Sequence, residues 1–410
     1  MLSLLSSVLS VAGGGCSSSS ESSPPTVVTL ASGQSTPGAI AVDASRVYWI
    51  DTGSDTVMAM PSDGGTPVTL AYGQYNPSAI AVDATHVYWT NTGNGQCSDD
   101  GALGVLDCPG SAVMSVPLGG GTPTTIASAE SPIALVVDAT SVYWVNAPYL
   151  DDSNVATGSI VKAPLGGGAS TTLASGLYAP FAIAVNASDV YWTADGVDGD
   201  GTITKAPIGG GTLGVLPSAQ PYAGPIVQDG SSLYWLNAYG PEGGSQTSVF
   251  SVPLTGGAPT RLAVSAGGSD TSGPFAGIAV DDARVYWTSQ TSVGYDSDGF
   301  LMSVPIAGGA VTTLVAGDMG GSGIAVDATS VYWTSSNSVM KLTPKTVTGA
   351  GATADAGYGS TITSTTCGDD VILCGDECID PLSDDLHCGS CANACQDTEF
   401  CDQAACTSGG

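Results

Sequence analysis

Short apolar runs, broken by Gly, Pro, Asp and Ser, recur along the chain without a helical period. Six of them read VYW, at Trp49, Trp89, Trp144, Trp192, Trp287 and Trp333, and a seventh reads LYW at Trp235. These motifs hold all seven tryptophans, at spacings of 40, 55, 48, 43, 52 and 46 residues. Before each stands an apolar run such as IAVD at residues 40–43, then a turn such as DATS. After it come a segment of variable length, a run like VMSVPL, a glycine turn like GGGTP and a run like TTLAS. Each unit therefore predicts four short antiparallel strands with turn chemistry between them.

Seven such units at this period predict an all-β, seven-bladed β-propeller of four-stranded blades over residues 26–345. The chain enters with a lone run of the fourth type, residues 27–32, and leaves the seventh unit after its third run, residues 339–343. The first run is thus expected to complete the last blade and close the ring. Pro61, Pro117, Pro164, Pro207, Pro253 and Pro305 mark the ends of third strands, where a missing backbone donor is tolerated. The fifth unit departs from the pattern, with PIVQDG around Asp229, which weakens its inner strand. Within each VYW, Val and Trp face one side and Tyr the other, and the motif recurs in every unit. It reads as a core position rather than a platform for sugar rings.

The repeats resemble the YWTD propellers of lipoprotein receptors, which alternate P-x-x-IAVD, YWTD and a G-G-x-x-x-x-L turn and strand. The resemblance implies the propeller fold. Those propellers have six blades, however, and here the fourth motif position is Asp only at Asp51, so receptor-type recognition is not carried over.

Charge sharpens the picture. Against 37 acidic residues stand 7 Lys and Arg, for a net charge of -30, which excludes nucleic acids and anionic membrane surfaces and favours cations and basic partners. In a four-stranded blade the first-to-second and third-to-fourth turns share one end, and here both are monotonous. The second-to-third segments, at the other end, vary and hold Asp51, Asp55, Asp99, Asp100, Asp107, Asp151, Asp152, Asp195, Asp198, Asp200, Glu242, Asp296 and Asp298, with no Lys or Arg. Glu130, Asp270 and Asp318, between blades, add to that end. It is the expected binding face for a protein, peptide or cationic ligand. Asp195, Asp198 and Asp200, and separately Asp296 and Asp298, place carboxylates near a turning Gly and are candidates for Ca²⁺; ordinary Asp-Gly turns are the alternative, and no other cofactor is indicated.

The ends of the chain carry other signals. Residues 1–25 hold an apolar stretch, then GGGC at Cys16 and a Ser-rich run, which resembles a bacterial lipoprotein signal and implies acylation of Cys16. Residues 346–366 form a Gly- and Thr-rich linker. Residues 367–410 pack eight cysteines, Cys367, Cys374, Cys378, Cys388, Cys391, Cys395, Cys401 and Cys406, too densely for a core and suited to a disulfide framework; Cys97 and Cys108 are expected to close another bridge. The tail resembles the stigma-specific cysteine-rich family, a module also seen at the ends of secreted myxobacterial proteins. The expectation is an exported monomer of a Gram-negative envelope, anchored in the outer membrane by lipid or free in the periplasm or outside.

Seven-bladed lyases that act on cyclic peptide antibiotics use a histidine and a magnesium site. The chain has two histidines, His86 in a first-to-second turn and His387 in the tail, and neither falls on the variable face. The expectation is a binding and scaffold protein that is not an enzyme; the alternatives are a propeller lyase or hydrolase with acidic or metal-dependent catalysis on that face, and a structural envelope component.

Overall fold

The computed structural model describes residues 25–94, 98–99, 106–107, 109–147, 158–194, 201–216, 223–237, 247–265, 277–293, 296–318, 323–345, 372–374, 377–379, 399–402 and 405–408. Seven four-stranded antiparallel sheets lie within residues 26–343. In the first blade the strands run Pro37–Val42, Arg46–Asp51, Thr56–Pro61 and Val68–Ala71 in spatial order. The first strand of each blade neighbours that of the next, and the seventh neighbours the first, so these strands form the inner ring. The chain is a seven-bladed β-propeller.

Closure follows the expected route. Thr26–Ser32 pairs with Ser338–Thr343 as the outer strand of the last blade, with Thr26 opposite Thr343. The fifth blade keeps its inner strand, Ala223–Gln228, despite its divergent sequence, because Asp229 makes the same turn contacts as its counterparts. The shortest inner strands, Ile278–Val280 and Ile324–Val326, belong instead to blades six and seven.

The core is seven repeated interfaces. The tyrosine of one blade packs in the same buried cluster as the tryptophan of the next: Tyr48 with Trp89, Tyr88 with Trp144, and onward to Tyr332 with Trp49 across the closure. Every VYW tryptophan is buried, so burial of these large rings is the main driving force for blade docking. Third strands end at the predicted prolines, each with a turn N–H donating back to its carbonyl, as Gly64 does to Pro61 at 3.1 Å. Gly64 and Gly65 both have positive φ, 104° and 142°, which only glycine adopts at no steric cost.

Candidate functional site

The two ends of the ring are chemically unlike, and the repeated side chains show why. At the turn end, Asp43 Oδ1 accepts the backbone N–H groups of Ser45 and Arg46 at 2.7 and 2.8 Å, and its Oδ2 accepts the Tyr48 phenol at 2.8 Å. Asp83, Asp138, Asp229, Asp281 and Asp327 repeat the arrangement with Tyr88, Tyr143, Tyr234, Tyr286 and Tyr332. Blade four substitutes Asn186, whose Nδ2 donates to the Tyr191 hydroxyl at 3.2 Å. Burial pushes each of these carboxyls up, but the combined backbone and hydroxyl donors outweigh it and hold them below the ordinary value. Burial and the carboxylate together push the phenols up, Tyr143 and Tyr234 to about 12. These aspartates are therefore turn and packing devices.

The positive charges are also at this end. Arg46 reaches the carbonyl of Leu118 in the next blade at 3.3 Å, Lys341 reaches that of Ser62 across the closure at 2.7 Å, and Lys162 reaches that of Ile208. Lys345 ion-pairs with Asp281 at 2.6 Å and donates to the carbonyl of Asp327. Lys205 pairs with Asp189 at 3.4 Å, and Arg284 bonds Ser303 and Thr312. Arg261 lies near the start of the fourth strand of its blade, Thr260–Ser265, again at the turn end. All seven Lys and Arg of the chain are thus on one face. A cleft of about 310 Å³ opens there between blades two and three, lined by Asp83, His86, Tyr88, Ser115 and neighbours. His86 is the first residue of strand His86–Asn91, and its Nδ1 meets Thr85 Oγ1 at 2.8 Å.

At the loop end the described residues are acidic and amide-bearing. Asp51, expected in a variable loop, is instead the last residue of its strand and 6% exposed; Oδ2 accepts the Ser35 N–H at 3.0 Å, while Oδ1 is buried without a partner among the described residues. Asn91, its equivalent in blade two, likewise keeps a buried Oδ1 unpaired. Between these blades lies a cleft of about 330 Å³ lined by Asp55, Gln74, Tyr75, Asn76, Gly93 and Asn94. Its tyrosine was not singled out by sequence. The signal was there: the connection AYGQYNP at residues 71–77 aligns without gaps on ASGQSTP at 31–37, with Tyr72 and Tyr75 in place of Ser32 and Ser35.

Other expected site residues are placed as follows. Asp296 and Asp298 are not in a loop; they begin strand Asp296–Pro305, opposite Val293 and Thr291 in an extended hairpin. Asp99 and Asp107 lie in a two-residue ladder in which Ser98 opposes Asp107. Asp100, Asp151, Asp152, Asp195, Asp198, Asp200, Glu242 and Asp270 lie outside the described residues, as do Cys16, Cys97, Cys108, Cys367, Cys388, Cys391 and Cys395. Cys374 and Cys378 fall in one short hairpin, and Cys401 opposes Cys406 in another. Among the described residues no group of three His, Cys, Asp or Glu side chains is placed to hold a metal ion.

No protein-family model and no curated protein matches the sequence. Among solved structures, a streptogramin B lyase superposes with a TM-score of 0.55 at 12% identity, over 78% of this chain and 97% of the lyase. The ring architecture is shared with an enzyme. The expectation that the chain is not an enzyme is withdrawn: the solved structures that share its fold include a lyase, and a missing histidine excludes only one catalytic design. A nidogen/laminin complex matches with a TM-score of 0.42 at 16% identity, over 58% of this chain and 92% of that one. A gluconolactonase from Xanthomonas campestris matches at 0.43 and 17%, over 65% and 86%. At these identities the likeness extends to the fold alone.

Proposed function

We propose that the loop face of the propeller is a binding surface for a cationic ligand, in particular a basic protein or peptide. One observation carries this reading: all seven Lys and Arg lie at the opposite face, where six of them bond turns, strands or adjacent blades, and the segments joining second to third strands contain only acidic charge. With so few cations, their one-sided placement leaves the loop face uncompensated, and its potential attracts positive partners and speeds their encounter. The density of cysteines over residues 367–410 and the apolar N-terminal stretch before Cys16 support work outside the cytoplasm, in an envelope or extracellular setting.

The test is calorimetric titration of the full chain with a deca-lysine peptide and with its succinylated, anionic counterpart at rising salt. The reading expects binding of the first alone, weakening steeply with ionic strength. Equal binding of both peptides, or none of the cationic one at low salt, contradicts it. Product analysis of the same mixtures reports any turnover of the bound ligand.

A further inference from the structure

The cleft between blades one and two stands apart from the rest of the loop face. Gln74, Tyr75 and Asn76 connect strand Val68–Ala71 to strand Pro77–Val82, and Asp55 stands in the loop opposite. The Gln74 N–H donates to the Asp55 carbonyl at 3.0 Å and ties the two walls together.

The backbone of this connection duplicates the one before blade one. Gly33 and Gly73 share φ of 71° and 64°, Thr36 and Asn76 share 55° and 53°, and Gln34 and Gln74 each accept the indole N–H of their blade's tryptophan at 3.0 Å. The scaffold is thus satisfied by serine at residue 35, and the fold does not require tyrosine at residue 75. Tyr75 is nevertheless 52% exposed and held in place. Its ring lies against Gly110, where a Cβ would come within 2.5 Å of the ring's Cγ. Such a ring is ordered before any ligand arrives, which lowers the cost of binding.

The hydrogen-bond inventory shows what would fit. The Asn76 amide nitrogen is spent on Thr92 Oγ1 at 2.6 Å, and Gln74 Nε2 is turned to the Tyr72 carbonyl at 3.0 Å. What the cleft presents is the exposed Asp55 carboxylate, with two acceptor oxygens, and an aromatic ring. Acceptors beside a fixed aromatic ring, on a face of negative potential, match a guanidinium: planar, permanently charged, donor-only and able to stack.

We propose that this cleft is a pocket for an arginine side chain of the ligand. The proposal rests on the reading that the loop face takes a basic ligand, and it names where and by what group.

The test uses the full chain, an acetylated tri-arginine peptide and the same peptide with citrulline, which keeps the shape and loses the charge. Tyr75→Ser restores the blade-one residue on its own scaffold, so the variant should fold; Tyr75→Phe keeps the ring. The expected result is tri-arginine binding about tenfold weaker in Tyr75→Ser and in Asp55→Asn, near wild type in Tyr75→Phe, with the citrulline peptide bound far more weakly than either. Salt-sensitive tri-arginine binding that neither Tyr75→Ser nor Asp55→Asn changes would overturn the pocket and leave the face reading standing. Binding of maltohexaose in its place, lost in Tyr75→Ser, would overturn the arginine assignment in favour of a sugar. No tri-arginine binding at all would remove both readings.

Discussion

Thr334 Oγ1 donates to the carbonyl of Gly38 at 3.0 Å and accepts the Gly323 N–H at 3.0 Å, joining the last blade to the first across 296 positions of sequence. Thr193 makes the same double contact, with Ala182 and Gly224. The seam is therefore held by the same device as an internal blade junction. Thr334→Val keeps the branched shape and leaves two buried backbone groups unpaired. It should cost about 1 to 3 kcal/mol in urea denaturation, and Thr193→Val should cost a similar amount. A seam variant that is silent while the internal one is not would show that the closure is not load-sharing.

Gly323 explains how tight that junction is. A Cβ there would sit 2.3 Å from the Gly38 carbonyl oxygen, a backbone atom that cannot swing aside. Gly323→Ala should destabilise the protein more than Thr334→Val does, because the inner strands must part to admit the methyl group. The comparison of their denaturation midpoints checks this order.

The Asp and Tyr pairs fix the pH range of stability. The carboxyls of Asp43, Asp83, Asp138, Asp229, Asp281 and Asp327 lie below the ordinary 3.8, so their contribution is full above that value and is lost as pH falls through the folded-state pKa. The phenols are raised from 10, to about 12 for Tyr143, so theirs is full below 10 and is lost as pH climbs from there through about 12. Thermal melting should thus show a plateau between about pH 4 and 10 that falls on both sides. Asp138→Asn, which installs the arrangement native to blade four at Asn186, should keep the fold while softening the acid limb.

Lys345 pins the chain beyond the last strand to blade six through Asp281, with both side chains 11% exposed. Lys345→Met leaves a buried carboxylate short of its cation and should cost about 3 kcal/mol by denaturant titration. Asp281 retains donors from Ala283, Arg284 and Tyr286; the loss should therefore be smaller in the double variant with Asp281→Asn than the two single losses added together.

The repeat was legible because it is written in side chains that must be buried: a tryptophan in every blade, prolines and paired glycines at every third-to-fourth turn. The polarity of the ring was legible only in part. Sequence gave the acidic loops, but the destinations of Arg46, Lys162 and Lys341, each a carbonyl in the adjacent blade, depend on blade docking and cannot be seen along one unit. The IAVD aspartate read as turn chemistry alone, because its bond to the tyrosine five residues on needs the hairpin in place. Asp51 and the Asp296 and Asp298 pair were misplaced for the opposite reason: Asp-Gly composition suggests loops, whereas Asp51 closes its strand and Asp296 begins an extended one.

The loop face is expected to bind basic ligands and the turn face is not, and removing carboxylates from one face at a time separates the two. Asp55, Asp99 and Asp107, in segments that join second to third strands, would be changed to Asn in one variant. In a second, Asp63 and Asp282 at the turn side would be changed. Both would be titrated with the deca-lysine peptide at low salt. The loop variant should lose at least about tenfold in affinity, with the turn variant near wild type. Equal losses in both, or a loss confined to the turn variant, would contradict it.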